Sequence, residues 1–400
     1  MFKVQSSTFS LLSTALLRMA PPASRLPWID HLRTFVILLV VNMHACVTYS
    51  HVGDWYVMSA QEPGLPLKLF FIFWQSHLQA FFMGLMFFLA GYFAQKSLAR
   101  RGPGAFFGER LVRLGLPVLF FMMVIHPFII LVLNPWHINL PTVGAFYTRY
   151  LSTGRFLGAT GPLWFAFALL IFCAVLALGR TLRTTPTPDT TIPRAPTTGK
   201  IWIVALGLGV TTFLMRTVQP IGTSVMNFQF CFFPQYIVFF ILGFLASRDR
   251  WLLGLAASPI ARRSGWLALI GGPILLVAVL ISAGKPSKEV EQLFFGGWNL
   301  HAFSLATWEQ LTGLGLSLGL LSFFSRRVNS ASAFATWLSD RAFAVYVFHT
   351  PVLIALTMLY RPLEPGNAFV LISLLTVTGL IASFLVADLA RRIPGLRSIL

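Results

Sequence analysis

LFFIFWQSHLQAFFMGLMFFLAGYF, residues 69–93, runs from end to end without a formal charge. A helix of that length exceeds the roughly 20 residues needed to cross a hydrocarbon core. Without water, backbone groups must be satisfied within the segment, and a helix does this. LVRLGLPVLFFMMVIHPFIILVL, residues 111–133, repeats the pattern with one cation, Arg113, near its start. Hydrophobic residues make up 56% of the 400, charged residues only 10%, and Phe contributes 39. So few charges cannot cover a soluble surface. The expected architecture is an all-α, polytopic membrane helix bundle of about ten transmembrane helices. The spans are read at 31–50, 69–93, 111–133, 161–179, 201–217, 234–247, 265–283, 303–325, 342–360 and 368–387.

The net charge of +18 suggests a nucleic-acid partner until its placement is followed. With both termini cytoplasmic, the inside segments hold 23 of the 30 Lys and Arg, among them KSLARR (96–101), SRDR (247–250) and the Arg pairs at 262–263, 326–327 and 391–392. That is the positive-inside bias of a chain oriented by its membrane. The basic charge therefore reports topology, and no nucleic acid is expected. Cys46, Cys173 and Cys231 lie in or beside apolar segments without paired spacing, which points to neither disulfides nor a metal site.

The first 25 residues, with FSLLSTALL after Lys3 and then PPAS, weakly resemble a signal peptide. Cleavage would put Arg18, Arg25 and Arg33 outside, so residues 1–27 are read as a cytoplasmic N-terminal segment. Residues 28–388 form the transmembrane domain and 389–400 a cytoplasmic tail. RTLRTTPTPDTTIPRAPTTGK (180–200) lacks a periodic apolar face and reads as a flexible cytoplasmic linker. The outer segments 134–160, 218–233 and 284–300 carry NPWHINLP, a run of aromatics and FFGGWNLH. Such segments suit an interfacial belt or the floor of an acceptor site.

Ionisable groups inside spans are costly and each is a functional candidate. His44 lies eleven positions after Arg33, three helical turns plus about 20°, so the two share one face about 16 Å apart along the axis. Asp30 can pair with Arg33 across one turn. Arg110 and Arg113, in ERLVRL, share a face at the inner start of the third span. Guanidiniums gathered there suit phosphates, which they bind by charge-assisted, often bidentate hydrogen bonds. His77, His126, Glu309 and His349 are further intramembrane candidates. Glu309 suits a carboxylate that orients an imidazole, and His349 precedes Pro351, which is expected to loosen its helix.

These residues resemble the acyltransferase-3 family of integral membrane acyltransferases. The family carries Arg, ten residues, then His on its first span, read here in WIDHLRTFVILLVVNMH from Arg33 to His44. Its Arg-x-x-Arg corresponds to Arg110 and Arg113. The stretches at 87–117, GPLWF (161–165), FFPQYIVFFILG (232–243), TWEQLTGLGLSLGLL (307–321) and VYVFHTPVL (345–353) are similar to the subgroup of bacterial periplasmic glucan synthesis. The resemblance implies a multi-pass protein of the bacterial inner membrane. It implies acyl-CoA as a cytoplasmic donor substrate, no permanently bound cofactor, and a periplasmic or cell-surface glycan or glycolipid acceptor. Arg33, Arg110 and Arg113 would hold the donor's phosphates. His44 would act as general base or acyl carrier, with Glu309 and His349 as supporting catalytic candidates. The competing expectation is a multi-span transporter or flippase of an anionic or glycolipid substrate.

Overall fold

The computed structural model describes residues 26–133, 142–182, 196–285, 287–364 and 366–400. Among them, nine helices are long and apolar enough to cross a membrane. They are α1 (Pro27–Ser50), α2 (Leu65–Arg101), α3 (Pro103–Leu133), α4 (Gly161–Leu182), α5 (Thr198–Val218), α6 (Phe230–Arg248), α7 (Pro259–Ile281), α9 (Ala333–Leu363) and α10 (Ala368–Arg392). The tenth expected span is also a helix, α8 (Leu300–Arg327), 28 residues long. Its apolarity is diluted by inward polar residues, Glu309, Gln310, Thr312 and Ser317 all being buried. No β-sheet occurs among the described residues. The protein is a multi-pass, all-α membrane bundle.

Helix boundaries depart from expectation where polar residues prolong a span. KSLARR is the last part of α2 rather than a loop, and α4 and α5 extend to Leu182 and back to Thr198, trimming the linker read at 180–200. The N-terminal segment before residue 26, residues 183–195 of that linker and NPWHINLP lie outside the described residues. Pro351 does not interrupt its helix, which is continuous from Ala333 to Tyr360.

Small residues set the helix spacing. A methyl group on Gly243 would lie 1.9 Å from the Phe88 carbonyl oxygen, and one on Gly91 would lie 2.1 Å from that of Phe240. The backbones of α2 and α6 therefore touch directly, the close approach that membrane helices use in place of a hydrophobic driving force. α7 and α8 meet in the same way at Gly265 and Gly319.

α3 is the irregular element. Three π-helical turns, Leu111–Gly115, Phe121–Ile125 and Ile129–Leu133, interrupt it, and Pro117 and Pro127 each lack the N–H that a regular helix needs. Tyr150 and Tyr147, on the short helix Val143–Ser152, donate to the carbonyls of Met122 and Met123 at 2.7 and 2.8 Å.

Candidate active site

Leu26, Asp30, Arg33, Ile37 and Val40 follow one another at helical spacing and line a cavity of about 1660 Å³. His44 is the next residue of that series on α1. The helical arithmetic thus describes a continuous wall, with Arg33 near the mouth and His44 one turn beyond the last lining residue. Arg33 pairs with Asp30 at 3.4 Å and donates to the Ser339 carbonyl at 3.3 Å.

The mouth gathers cations from distant parts of the chain. Arg33, Arg110 and Arg113 all line it, joined by Arg100, Arg101, Arg180, Arg248 and Arg391 among eleven basic residues, against three carboxylates. A charge excess of that size between low-dielectric walls concentrates positive potential. Glu109 pairs with Arg101 at 3.1 Å and lies 3.8 Å from Arg113. Arg110 lies over the Phe106 ring at 5.5 Å, and its Nε is buried with no partner among the described residues. Inward, the lining turns apolar with Met83, Met86, Phe165, Leu169 and Cys173, and it reaches Tyr346.

Tyr346 is fixed by a hydrogen bond from its hydroxyl to the Pro162 carbonyl. Its own carbonyl accepts from Nδ1 of His349 at 2.8 Å. His349 is fully buried, and its Nε2 has no partner among the described residues. With Nδ1 carrying the hydrogen, the neutral ring presents a bare lone pair at Nε2. The rings of His349 and His44 lie 5.3 Å apart and 23° from parallel. Trp55 also stacks on His44, at 3.9 Å and 18°. Tyr56 follows, edge-on to Trp55 and hydrogen bonded to His126 Nδ1 at 2.9 Å. Burial, with a smaller push from Tyr150, raises the Tyr56 phenol well above its usual range, so it stays protonated. Two imidazoles in contact can supply a general base or a nucleophile.

Glu309 occupies a different network. Arg216 Nη2 donates to one of its oxygens at 2.6 Å and Gln310 to the other at 3.0 Å, where the sequence suggested an imidazole. The network continues from Gln310 to Gln235, which also donates to the Ala80 carbonyl at 2.8 Å. Arg216 is 0% exposed and Glu309 6%. His77 belongs to a third cluster, bonded to the Phe73 carbonyl at 2.7 Å and edge-on to Trp308. Sequence reasoning missed Arg216, which sits one residue from the end of an apolar span and reads as an outer flank. It also missed Trp55 and Tyr346. A tryptophan in a short polar loop carries no periodic signal, and Tyr346 is one aromatic among many.

Segment 218–233 packs against the start of α4: Asn227 donates to Thr160 Oγ1 at 2.9 Å and to the Gly161 carbonyl at 2.8 Å. Among the described residues, no group of three or more His, Cys, Asp or Glu could hold a metal ion.

A family model described as an acyltransferase domain matches residues 26–388. Among curated proteins, the chain is similar to glucans biosynthesis protein C of Salmonella heidelberg, 26% identical over 388 residues and 94% of each chain. The Salmonella typhi protein of that name aligns at the same identity and coverage. The Escherichia coli O81 protein is 25% identical over 340 residues, 83% of each chain. No solved structure matches.

Proposed function

The chain belongs to the acyltransferase family whose model matches it, and from that premise we propose that it moves an acyl group from acyl-CoA to a hydroxyl of a periplasmic or cell-surface glycan or glycolipid. The observation that carries this reading is the single face of α1, which lines the cavity from Leu26 to Val40 and leads to His44. Arg33, Arg110 and Arg113 take the donor's phosphates at the basic mouth. The apolar inner part of the cavity receives the pantetheine arm, and the thioester meets His44 about 16 Å from Arg33 along the axis. The positive-inside distribution of charge supports a cytoplasmic mouth. The names of the relatives support a glucan as acceptor, and the multi-pass bundle with this charge bias supports the bacterial inner membrane.

His44 and His349 divide the proton work. His349, held through Nδ1 by Tyr346, offers Nε2 as an acceptor. His44 acts on the acyl group as general base or as its transient carrier. The hydroxyl oxygen bonds to the thioester carbon, the carbon–sulfur bond breaks, and the thiolate leaves with the hydroxyl's proton. The test is His44→Ala: ester on the acceptor glycan should disappear while the protein inserts and accumulates as before. Full esterification in cells producing that variant overturns the assignment.

A further inference from the structure

Trp55, beside the imidazole pair, holds a buried polar atom without a partner among the described residues. Its loop is fixed at several points. His51 Nε2 bonds Ser59 Oγ at 3.0 Å. Ser59 N donates to the Thr48 carbonyl at 2.9 Å, and Gln75 donates to the Val52 carbonyl at 2.9 Å. Tyr56 is held by His126. The indole therefore lies immobilised over His44, 3.9 Å between ring centres. Its Nε1 is buried with no hydrogen-bond partner among the described residues. An indole N–H is a donor only, and burying one unpaired is costly. A dry, fixed, unsatisfied donor beside a reacting centre is what stabilises a developing oxyanion.

We propose that Trp55 is a catalytic residue of the acyl transfer, its indole N–H donating to the acyl carbonyl oxygen as that atom becomes an oxyanion beside His44. This rests on the reading of His44 as the transfer centre. When the acceptor oxygen bonds to the thioester carbon, the carbonyl π pair moves onto oxygen and an imidazole takes the hydroxyl proton. When that pair returns, the carbon–sulfur bond breaks and the thiolate takes the proton, leaving an ester and a free thiol. If His44 carries the acyl group, a carbonyl oxyanion forms twice, once as thiolate is expelled and once as the hydroxyl displaces the imidazole. A tetrahedral centre at the edge of His44 places substituents out of the ring plane, toward one of its two stacked neighbours. His349 presents a lone pair and repels an oxyanion. Of the two, Trp55 carries the unsatisfied donor, so the oxyanion is assigned to it.

The experiment uses the purified full-length protein in lipid nanodiscs, with acetyl- or succinyl-coenzyme A and a short glucan oligosaccharide. Thiol release and ester formation are both followed. Trp55→Phe keeps a ring but removes the N–H, and benzothienylalanine at position 55 keeps the bicyclic ring with sulfur in place of N–H. Both should lower kcat about 100-fold and leave the donor KM unchanged. An undiminished kcat with benzothienylalanine overturns the proposal, even where Trp55→Phe is slow, because only ring packing is then at stake. His44→Ala runs in parallel. Full activity of that variant, or no turnover of either donor by the wild type, removes the His44 reading and the Trp55 proposal with it.

Discussion

Arg113 separates binding from chemistry at the scale of one residue. Its guanidinium is half exposed at the cavity mouth and only loosely paired, 3.8 Å from Glu109, so it is available to a phosphate. A hydrogen bond to a charged group contributes about 1.5–3 kcal/mol, which corresponds to roughly a tenfold or greater change in affinity. Arg113→Ala should raise the apparent KM for acyl-CoA about tenfold with kcat little changed. Donor saturation curves check this, and an unmoved KM removes Arg113 from the phosphate site. Arg33 and Arg113 stand out as candidates in the sequence because each interrupts an apolar run, and Arg110 because it lies three residues before Arg113. The protonation pattern of His349 was not legible there, since it depends on which carbonyl lies beside Nδ1. The use of Glu309 was not legible either: its partner Arg216 lies 93 residues away.

At the scale of elements, direct backbone contact governs the packing of α2 on α6. Gly243→Val forces side-chain carbon into the 1.9 Å gap against the Phe88 carbonyl, and the helices must part. Overpacking of this kind costs about 1–3 kcal/mol. Thermal unfolding in detergent should show a clear loss for Gly243→Val and little change for Gly254→Ala, where nothing lies within 4 Å. Equal melting of the two variants contradicts the close approach. The existence of the helices was readable from apolar length alone, and their faces from the 3.6-residue period. The π-helical turns of α3 escaped that reading, because hydropathy does not report where a helix gains a residue per turn. They matter here because α3 carries Arg110 and Arg113.

For the molecule as a whole, the buried pair Arg216–Glu309 ties α5 to α8. Removing one partner leaves an uncompensated charge in a dry interior, at a cost of about 3–5 kcal/mol, whereas replacing both is often nearly neutral. Glu309→Gln and Arg216→Met should each destabilise the protein strongly. The double variant Arg216→Met, Glu309→Leu should recover much of the loss and retain acyl transfer. A stable but inactive double variant would instead return Glu309 to the chemistry. Composition and apolar length by themselves determined an all-α membrane bundle, because a chain with few charges and many long apolar runs has no other way to satisfy its backbone in lipid. The first helix alone also determined that Arg33 and His44 share a face, since helical geometry is local. Only the tertiary structure decided that α1, α3 and α9 enclose one basic cavity, that His349 and Trp55 both stack on His44, and that Glu309 is bound to Arg216. Those are contacts between residues far apart in the chain, and nothing in local periodicity says which helical faces will meet.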